Sequence, residues 1–364
     1  MSRAGLIAAL LPVLLLVLAG CAGDPYAGYR TLPDAIQRPH PQTVPHTDRT
    51  GAPMAAYDPL RSFLPLALGG ALADYAAGPS RGFQAAFAAD FNAVSADPGQ
   101  PLPALLNAAN GSRVQLLVPR VEAPDAALLD SSRAVVVEMP RDPLKADRFA
   151  ATARDHATQP VWALLPAYAR GDERLIDPAQ ARALAFAALV HGASGLIWQG
   201  EDNYAARNAG ALGISNAPRL DYGITMNEAM NGAVSSPPRR ATAIEVAASK
   251  RLWDAVAQLN RRIGRLRGAL LQPDAGAAYN IAVRDAPMDD QPVLRAVLKP
   301  WDDDWLLIVV NLRAEAQDVR IGFPGGFRQA RQLDGDALPQ QDAARGLLRD
   351  EIEGHGLRLY KISR

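Results

Sequence analysis

The chain has 364 residues, of which 49% are hydrophobic and 21% charged, enough to bury a sizeable core. Its 38 basic and 38 acidic residues cancel, which argues against a nucleic-acid partner, because neutralising phosphates takes a basic excess. Cys21 is the only cysteine, so the chain forms no internal disulfide and holds no thiolate metal cluster.

Arg3 is followed by an apolar run from Leu6 to Leu18 and then by Leu18-Ala19-Gly20-Cys21, the charged, apolar and small-residue regions of an export signal. The run contains Pro12 and falls short of the roughly 20 residues of a spanning helix; an uncleaved anchor is the alternative. Leu-Ala-Gly-Cys resembles the lipobox of bacterial lipoproteins. The resemblance implies that Cys21 becomes the lipidated first residue of the mature chain, with the membrane as a partner. Ala22, in place of the aspartate that retains many such proteins in the inner membrane, implies the periplasmic face of the outer membrane.

From Ala22 to about Asp58 the sequence is rich in Pro, Thr, Asp and His without sustained periodicity, and a tether over residues 22–58 is expected. His40 and His46 fall in it with no carboxylate or thiol at ligand spacing.

Short apolar runs alternating with helical stretches then predict a parallel sheet of βα units. The candidate strands are Phe63–Ala71, Phe91–Asp97, Arg113–Arg120, Arg133–Met139, Pro160–Tyr168 and Ser194–Gln199, apolar as strands covered on both faces are. Between the last two, Asp177 reads as an N-cap, Pro178 as the first helical residue and Gly192 as the stop. The longest helix is expected from Ala241 to about Leu271. Its stripe of Leu252, Val256, Leu259, Ile263, Leu266 and Leu270 suits packing against the sheet better than a coiled coil, which Gly264 and Gly268 weaken. Beyond Pro273, β-rich runs at Leu294–Leu298, Trp305–Leu312, Asp318–Phe323 and Leu357–Ile362, split by turn clusters such as Asp302-Asp303-Asp304, predict a small antiparallel sandwich.

The segment Gly195-Leu196-Ile197-Trp198-Gln199-Gly200-Glu201-Asp202-Asn203 closes the α/β part. It is preceded by a helix ending in His-Gly-Ala and followed by the long helix and the β-rich end. That order is similar to glycoside hydrolase barrels with a C-terminal β-sandwich. The resemblance implies a (β/α)8 barrel of the TIM type, possibly shortened, over residues 59–272 and a sandwich over residues 273–364. It also implies hydrolysis of O-glycosidic bonds of an envelope or extracellular polysaccharide or oligosaccharide, with no cofactor and no metal.

In such a barrel the functional groups sit at the C-terminal strand ends, and hydrolysis usually needs two carboxyl groups flanking the scissile bond. By the resemblance, Glu138 is the acid/base and Glu201 the nucleophile, with Asp202 as substitute. Trp198 and Tyr168 are the candidate sugar platforms, and Gln199, Asn203 and Asp97 the candidate hydrogen-bonding groups. Two departures keep a catalytically inactive, glycan-binding or scaffolding barrel open as the alternative. Met139, where relatives carry the catalytic acid next to a proline, is one. The other is the strand count: six strands are evident, and the rest must lie after Arg120, in 143–159 or in 204–240. No phosphate loop, dinucleotide fingerprint, His-Glu-x-x-His or Gly-x-Ser-x-Gly elbow occurs.

Overall fold

The structure is a computed structural model, and it describes residues 28–32, 44–69, 79–96, 102–118, 127–156, 158–169, 174–199, 212–213, 243–286, 292–333 and 339–364. In chain order the elements are β1 (Tyr29–Thr31), β2 (His46–Asp48), β3 (Pro53–Met54), β4 (Ser62–Phe63), β5 (Leu66–Gly69), α1 (Pro79–Ala88), β6 (Ala93–Ser95), α2 (Leu102–Asn110), β7 (Gln115–Val118), β8 (Leu128–Asp130) and β9 (Val135–Glu138). There follow α3 (Pro143–His156), β10 (Val161–Pro166), β11 (Tyr168–Ala169), α4 (Pro178–Val190), β12 (Gly195–Gln199), β13 (Leu212–Gly213) and α5 (Ala243–Leu270). The C-terminal strands are β14 (Asn280–Arg284), β15 (Leu294–Trp301), β16 (Asp304–Asn311), β17 (Gln317–Gly322), β18 (Gln329–Gln332), β19 (Gln340–Asp342), β20 (Leu347–Ile352) and β21 (Leu357–Ser363).

Seven parallel strands form one sheet in the order β8-β7-β6-β5-β12-β10-β9. The sheet curls, because Leu129 of β8 and Trp162 of β10 share one inner cluster with Phe63, Ala67, Ala93, Leu117 and Ile197. Leu66, Leu68, Val94, Leu116, Val118, Ala163, Leu165, Leu196 and Trp198 alternate with these and face the helices. Of the expected barrel, possibly shortened, the structure has a seven-stranded parallel curl with no pairing between β8 and β9 among the described residues. β8 is the strand hidden after Arg120. Residues 143–156 are helical instead, and Leu212–Gly213 pairs antiparallel with β11 outside the parallel sheet. The order is that of a barrel opened between β8 and β9: β12 closes onto β5, and β9 lies beside β10 at the edge opposite β8.

A single 3₁₀ turn, Ser131–Arg133, spans that gap. Asp130 caps it by accepting from the Ser132 N–H at 2.9 Å and its hydroxyl at 2.6 Å. Ser131 donates its hydroxyl to the Val118 carbonyl at 2.8 Å, and the turn touches β7 on one side and β9 on the other.

Helix α4 has the predicted N-cap at Asp177, which Gln180 completes into a capping box, and Gly192 takes a φ of 86° just past its end. The helix is buried nearly all round by small residues, since it lies between the parallel sheet and the four-stranded sheet β15-β16-β21-β18. The run Leu306–Val310 in β16 is continuously apolar for the same reason: Leu306, Ile308 and Val310 meet the helices, while Leu307 and Val309 meet the second sheet of the sandwich. The hairpin joining β15 to β16 turns through Asp302 at a φ of 54°, as two-residue hairpin loops require.

The second sandwich sheet runs β1-β14-β17-β20-β19. Its edge strand β1 comes from the stretch read as a tether. Tyr29 donates to Asp318 at 2.7 Å, and its ring lies under the guanidinium groups of Arg320 at 4.1 Å and Arg284 at 4.9 Å. β2, β3 and β4 form a further small sheet. The Asp48 carboxylate organises its turn by accepting from the Thr50 N–H, the Thr50 hydroxyl and the Ala52 N–H. In this sheet His46 is buried and bonded to the Val44 carbonyl and the Ser62 hydroxyl. Residues 28–32 and 44–58 thus belong to the folded body, which corrects the tether boundary at residue 58.

Candidate functional site

Side chains at the C-terminal ends of the parallel strands surround the open mouth of the curl. Register puts Glu138 beside Leu164 and Val136 beside Trp162, and Trp162 and Leu164 belong to the inner cluster. Glu138 therefore stands on the inner face at the top of edge strand β9, where it is exposed. Met139 is 2% exposed and packs outward among the helices, so it does not take the place of the carboxylate at the mouth. Gln199, two residues beyond Ile197, shares the inner face at the end of β12 and is half-buried. Ser95 occupies the corresponding position on β6, two residues after Ala93.

Two expected platforms are corrected. Trp198 is 0% exposed and points outward into the helix layer, so it offers a sugar no ring face. Tyr168 is 5% exposed, with the Arg141 guanidinium over its ring at 5.9 Å and donating to its carbonyl. Asp97, Glu201, Asp202, Asn203 and Cys21 lie outside the described residues. Asp142, also at a strand end, is committed to the start of α3, where it accepts from the Leu144 and Lys145 N–H groups.

Gly195 begins β12 because no side chain fits there: a Cβ would stand 2.6 Å from both the Pro65 ring and the Trp162 indole. That close approach sets the bulky indole of Trp162 as the floor of the inner face. At the end of β5, Gly69 lies tight against the neighbouring strand, where an added Cβ would meet Ile197 at 3.2 Å.

A second polar constellation, which sequence reading missed, lies away from the mouth at the junction with the sandwich. Asp147 of α3 is fully buried; it accepts from Arg295 of β15 through both oxygens at 2.8 Å and bonds to His191 at 2.7 Å. Burial pushes the Asp147 carboxyl up, but the hydrogen bonds and charges of His191 and Arg295 outweigh it and hold it below the ordinary carboxylate range. Close by, the buried ammonium of Lys299 meets Asp274 and the Gln272 carbonyl, each at 2.8 Å. Desolvation pulls the Lys299 pKa down against the opposing charge of Asp274. His191 and Asp147 are 44 residues apart and Arg295 a further 104 from His191, so no local motif announces the group. Among the described residues, no three His, Cys, Asp or Glu side chains gather to hold a metal ion.

No protein-family model matches the sequence, and comparison with curated protein sequences gives no match. Among solved structures the chain is similar to AmyP in complex with maltose, at 11% identity and a TM-score of 0.37 over 77% of this chain and 67% of that one. It is similar to a GH30 endoxylanase from Clostridium papyrosolvens C71, at 8% identity and a TM-score of 0.32 over 82% and 96% of the two chains. It is also similar to the α-amylase of Geobacillus thermoleovorans complexed with acarbose, at 10% identity and a TM-score of 0.33 over 82% and 98%. Scores this low assign no family, and the function must be argued from the site.

Proposed function

We propose that the chain is a lipid-anchored, glycoside-hydrolase-like protein of the cell envelope that cleaves O-glycosidic bonds of a polysaccharide or oligosaccharide at the mouth of the curl. The observation carrying this reading is the placement of Glu138, an accessible carboxyl group on the inner face at a C-terminal strand end. Glu138 protonates the glycosidic oxygen as its bond to the anomeric carbon breaks. The carboxylate of Glu201, two residues beyond β12, attacks that carbon or activates a water against it, and Asp202 is its substitute. β9 and β12 are separated by β10 alone. Two strand spacings of about 4.8 Å bring their backbones within roughly 10 Å, compatible with the separation of about 5 to 10 Å between such carboxyl groups. Gln199, Asn203 and Asp97 hydrogen-bond sugar hydroxyls.

A second reading, a glycan-binding scaffold without hydrolysis, draws support from the open edge. Val136, on the inner face beside the mouth, is 44% exposed, and access of water there weakens every electrostatic contribution a hydrolase relies on.

In the lipoprotein reading, Cys21 stands seven residues before Gly28, where β1 begins its approach to the sandwich. At no more than about 3.6 Å per residue, a lipid on Cys21 keeps the β1 edge within roughly 25 Å of the membrane. The periplasmic face of the outer membrane is the proposed location.

The test is incubation of the full chain with a panel of bacterial polysaccharides and aryl glycosides, following both products and binding. New reducing ends support the hydrolase, and binding without products supports the scaffold. Neither products nor binding would reject both.

A further inference from the structure

The exposed face of α5 carries a concentration of charge that neither the mouth nor the sandwich uses. Residues 250–267 contain six basic side chains, Lys250, Arg251, Arg261, Arg262, Arg265 and Arg267, against the single acid Asp254, in a chain whose net charge is zero. Lys250, Arg251, Arg261 and Arg265 are exposed. They extend along about 20 Å of helix at 1.5 Å per residue. The apolar stripe is already committed: Leu252, Val256, Leu259, Ile263, Leu266 and Leu270 are buried in the main core, so over residues 252–270 the helix offers charge and not an apolar face.

Two features of the exposed face work against the helix itself. Arg261 and Arg265 are like charges at i,i+4, which destabilises a helix; the Arg265 Nε reaches back only to the Arg261 carbonyl, at 3.4 Å. Gly264, beside them, is in helical conformation with nothing within 4 Å of where a Cβ would be. Gly268 has an internal reason to be glycine, since a Cβ there would stand 2.9 Å from the Tyr57 hydroxyl. Gly264 has none. It leaves a flat, side-chain-free spot among guanidinium groups. Among the described residues, Asp90 pairs with Arg261 at 3.0 Å and Asp254 with Lys250 at 3.3 Å, while the exposed Arg251 and Arg265 face no acid and keep this face basic.

We infer that the exposed face of α5 docks on an anionic phospholipid surface. The charge is spread along a rod and offers no enclosed pocket, which matches a plane of headgroup phosphates better than a single phosphate. Each basic residue close to such a surface strengthens attachment about five-fold, the ratio equivalent to roughly 1 kcal/mol. The inference uses no residue of the mouth and stands or falls independently of glycoside hydrolysis.

The experiment is arginine footprinting of the full chain with phenylglyoxal, read by mass spectrometry. It is done on vesicles of phosphatidylcholine alone and of phosphatidylcholine mixed with phosphatidylglycerol. The expected result is a several-fold fall in labelling of Arg251, Arg261 and Arg265 on the anionic vesicles, reversed at high salt. Arg284 and Arg349 on the sandwich serve as internal references and keep their labelling. The triple variant R251E/R261E/R265E, all exposed positions, should fold with an unchanged far-ultraviolet circular dichroism spectrum and lose the dependence of vesicle attachment on phosphatidylglycerol. Equal labelling on both lipids, or an equal fall at Arg284, would overturn the inference. Protection by a soluble anionic polysaccharide with none on vesicles would also overturn it and reassign the face to a polymer.

Discussion

Arg295 grips Asp147 through two parallel bonds of 2.8 Å, one to each carboxylate oxygen, and so ties a strand of the sandwich to a helix of the parallel-sheet body. His191 completes the group from the end of α4. Such a bidentate pair fixes orientation as well as position, and it lies against apolar packing shared by the two bodies. The two parts therefore behave as one unit.

Removing one partner of this pair leaves a buried charge uncompensated. Arg295→Met and Asp147→Asn are each expected to lower stability by about 3–5 kcal/mol, measured by urea unfolding. The double variant is expected to lose much less than the sum, because no orphaned charge remains. Additive losses would mean that the two side chains act separately.

Because the Asp147 pKa is lowered in the folded state, its contribution is present above the unfolded-state value of about 3.8 and disappears as pH falls through the lower folded value. Thermal unfolding of the wild type should therefore show a loss of stability below about pH 4 that is shallower in Asp147→Asn. Identical acid profiles for the two proteins would contradict the linkage.

Tyr29→Ala removes a hydrogen bond to a carboxylate and two guanidinium–ring contacts, together worth about 2 kcal/mol. The expected outcome is faster amide exchange at Val283 and Ala282 of β14, which pair with β1. A chain beginning after Thr31 bares the β14 edge and is expected to self-associate, measurable by light scattering. A monomer of unchanged stability would contradict the role given to β1.

Gly195→Ala places a methyl group 2.6 Å from Pro65 and Trp162, and overpacking of this kind costs about 1–3 kcal/mol. Differential scanning calorimetry should register a lower Tm. Gly264→Ala, with open space around it, should instead raise stability by up to about 1 kcal/mol.

The elements that were legible in the sequence are those whose signals are local. The α4 cap at Asp177, the α5 stripe and the Asp302 turn stand as read. β8 escaped because three residues ending in aspartate carry no usable periodicity. β1 and β2 escaped because their pairing partners lie elsewhere in the chain, and prolines around them masked short strands. The direction of Trp198 was illegible for a different reason. A strand buried on both faces reads as a continuous apolar run, so Gly195–Gln199 contains no alternation from which to tell the inner face from the outer. Glu138 was legible as a strand-end position because a carboxylate ends the Val135–Val137 run, and register puts it on the inner face.

The central claim is that Glu138 works with Glu201 across the mouth, and the most direct measurement is hydrolysis by the full-length wild type beside Glu138→Gln, Glu201→Gln and Trp198→Phe. The account predicts that either glutamine abolishes turnover while leaving glycan binding within a few-fold, and that Trp198→Phe changes stability more than turnover. Hydrolysis that survives Glu138→Gln, or a wild type that binds glycan without cleaving it, would contradict the two-carboxylate mechanism.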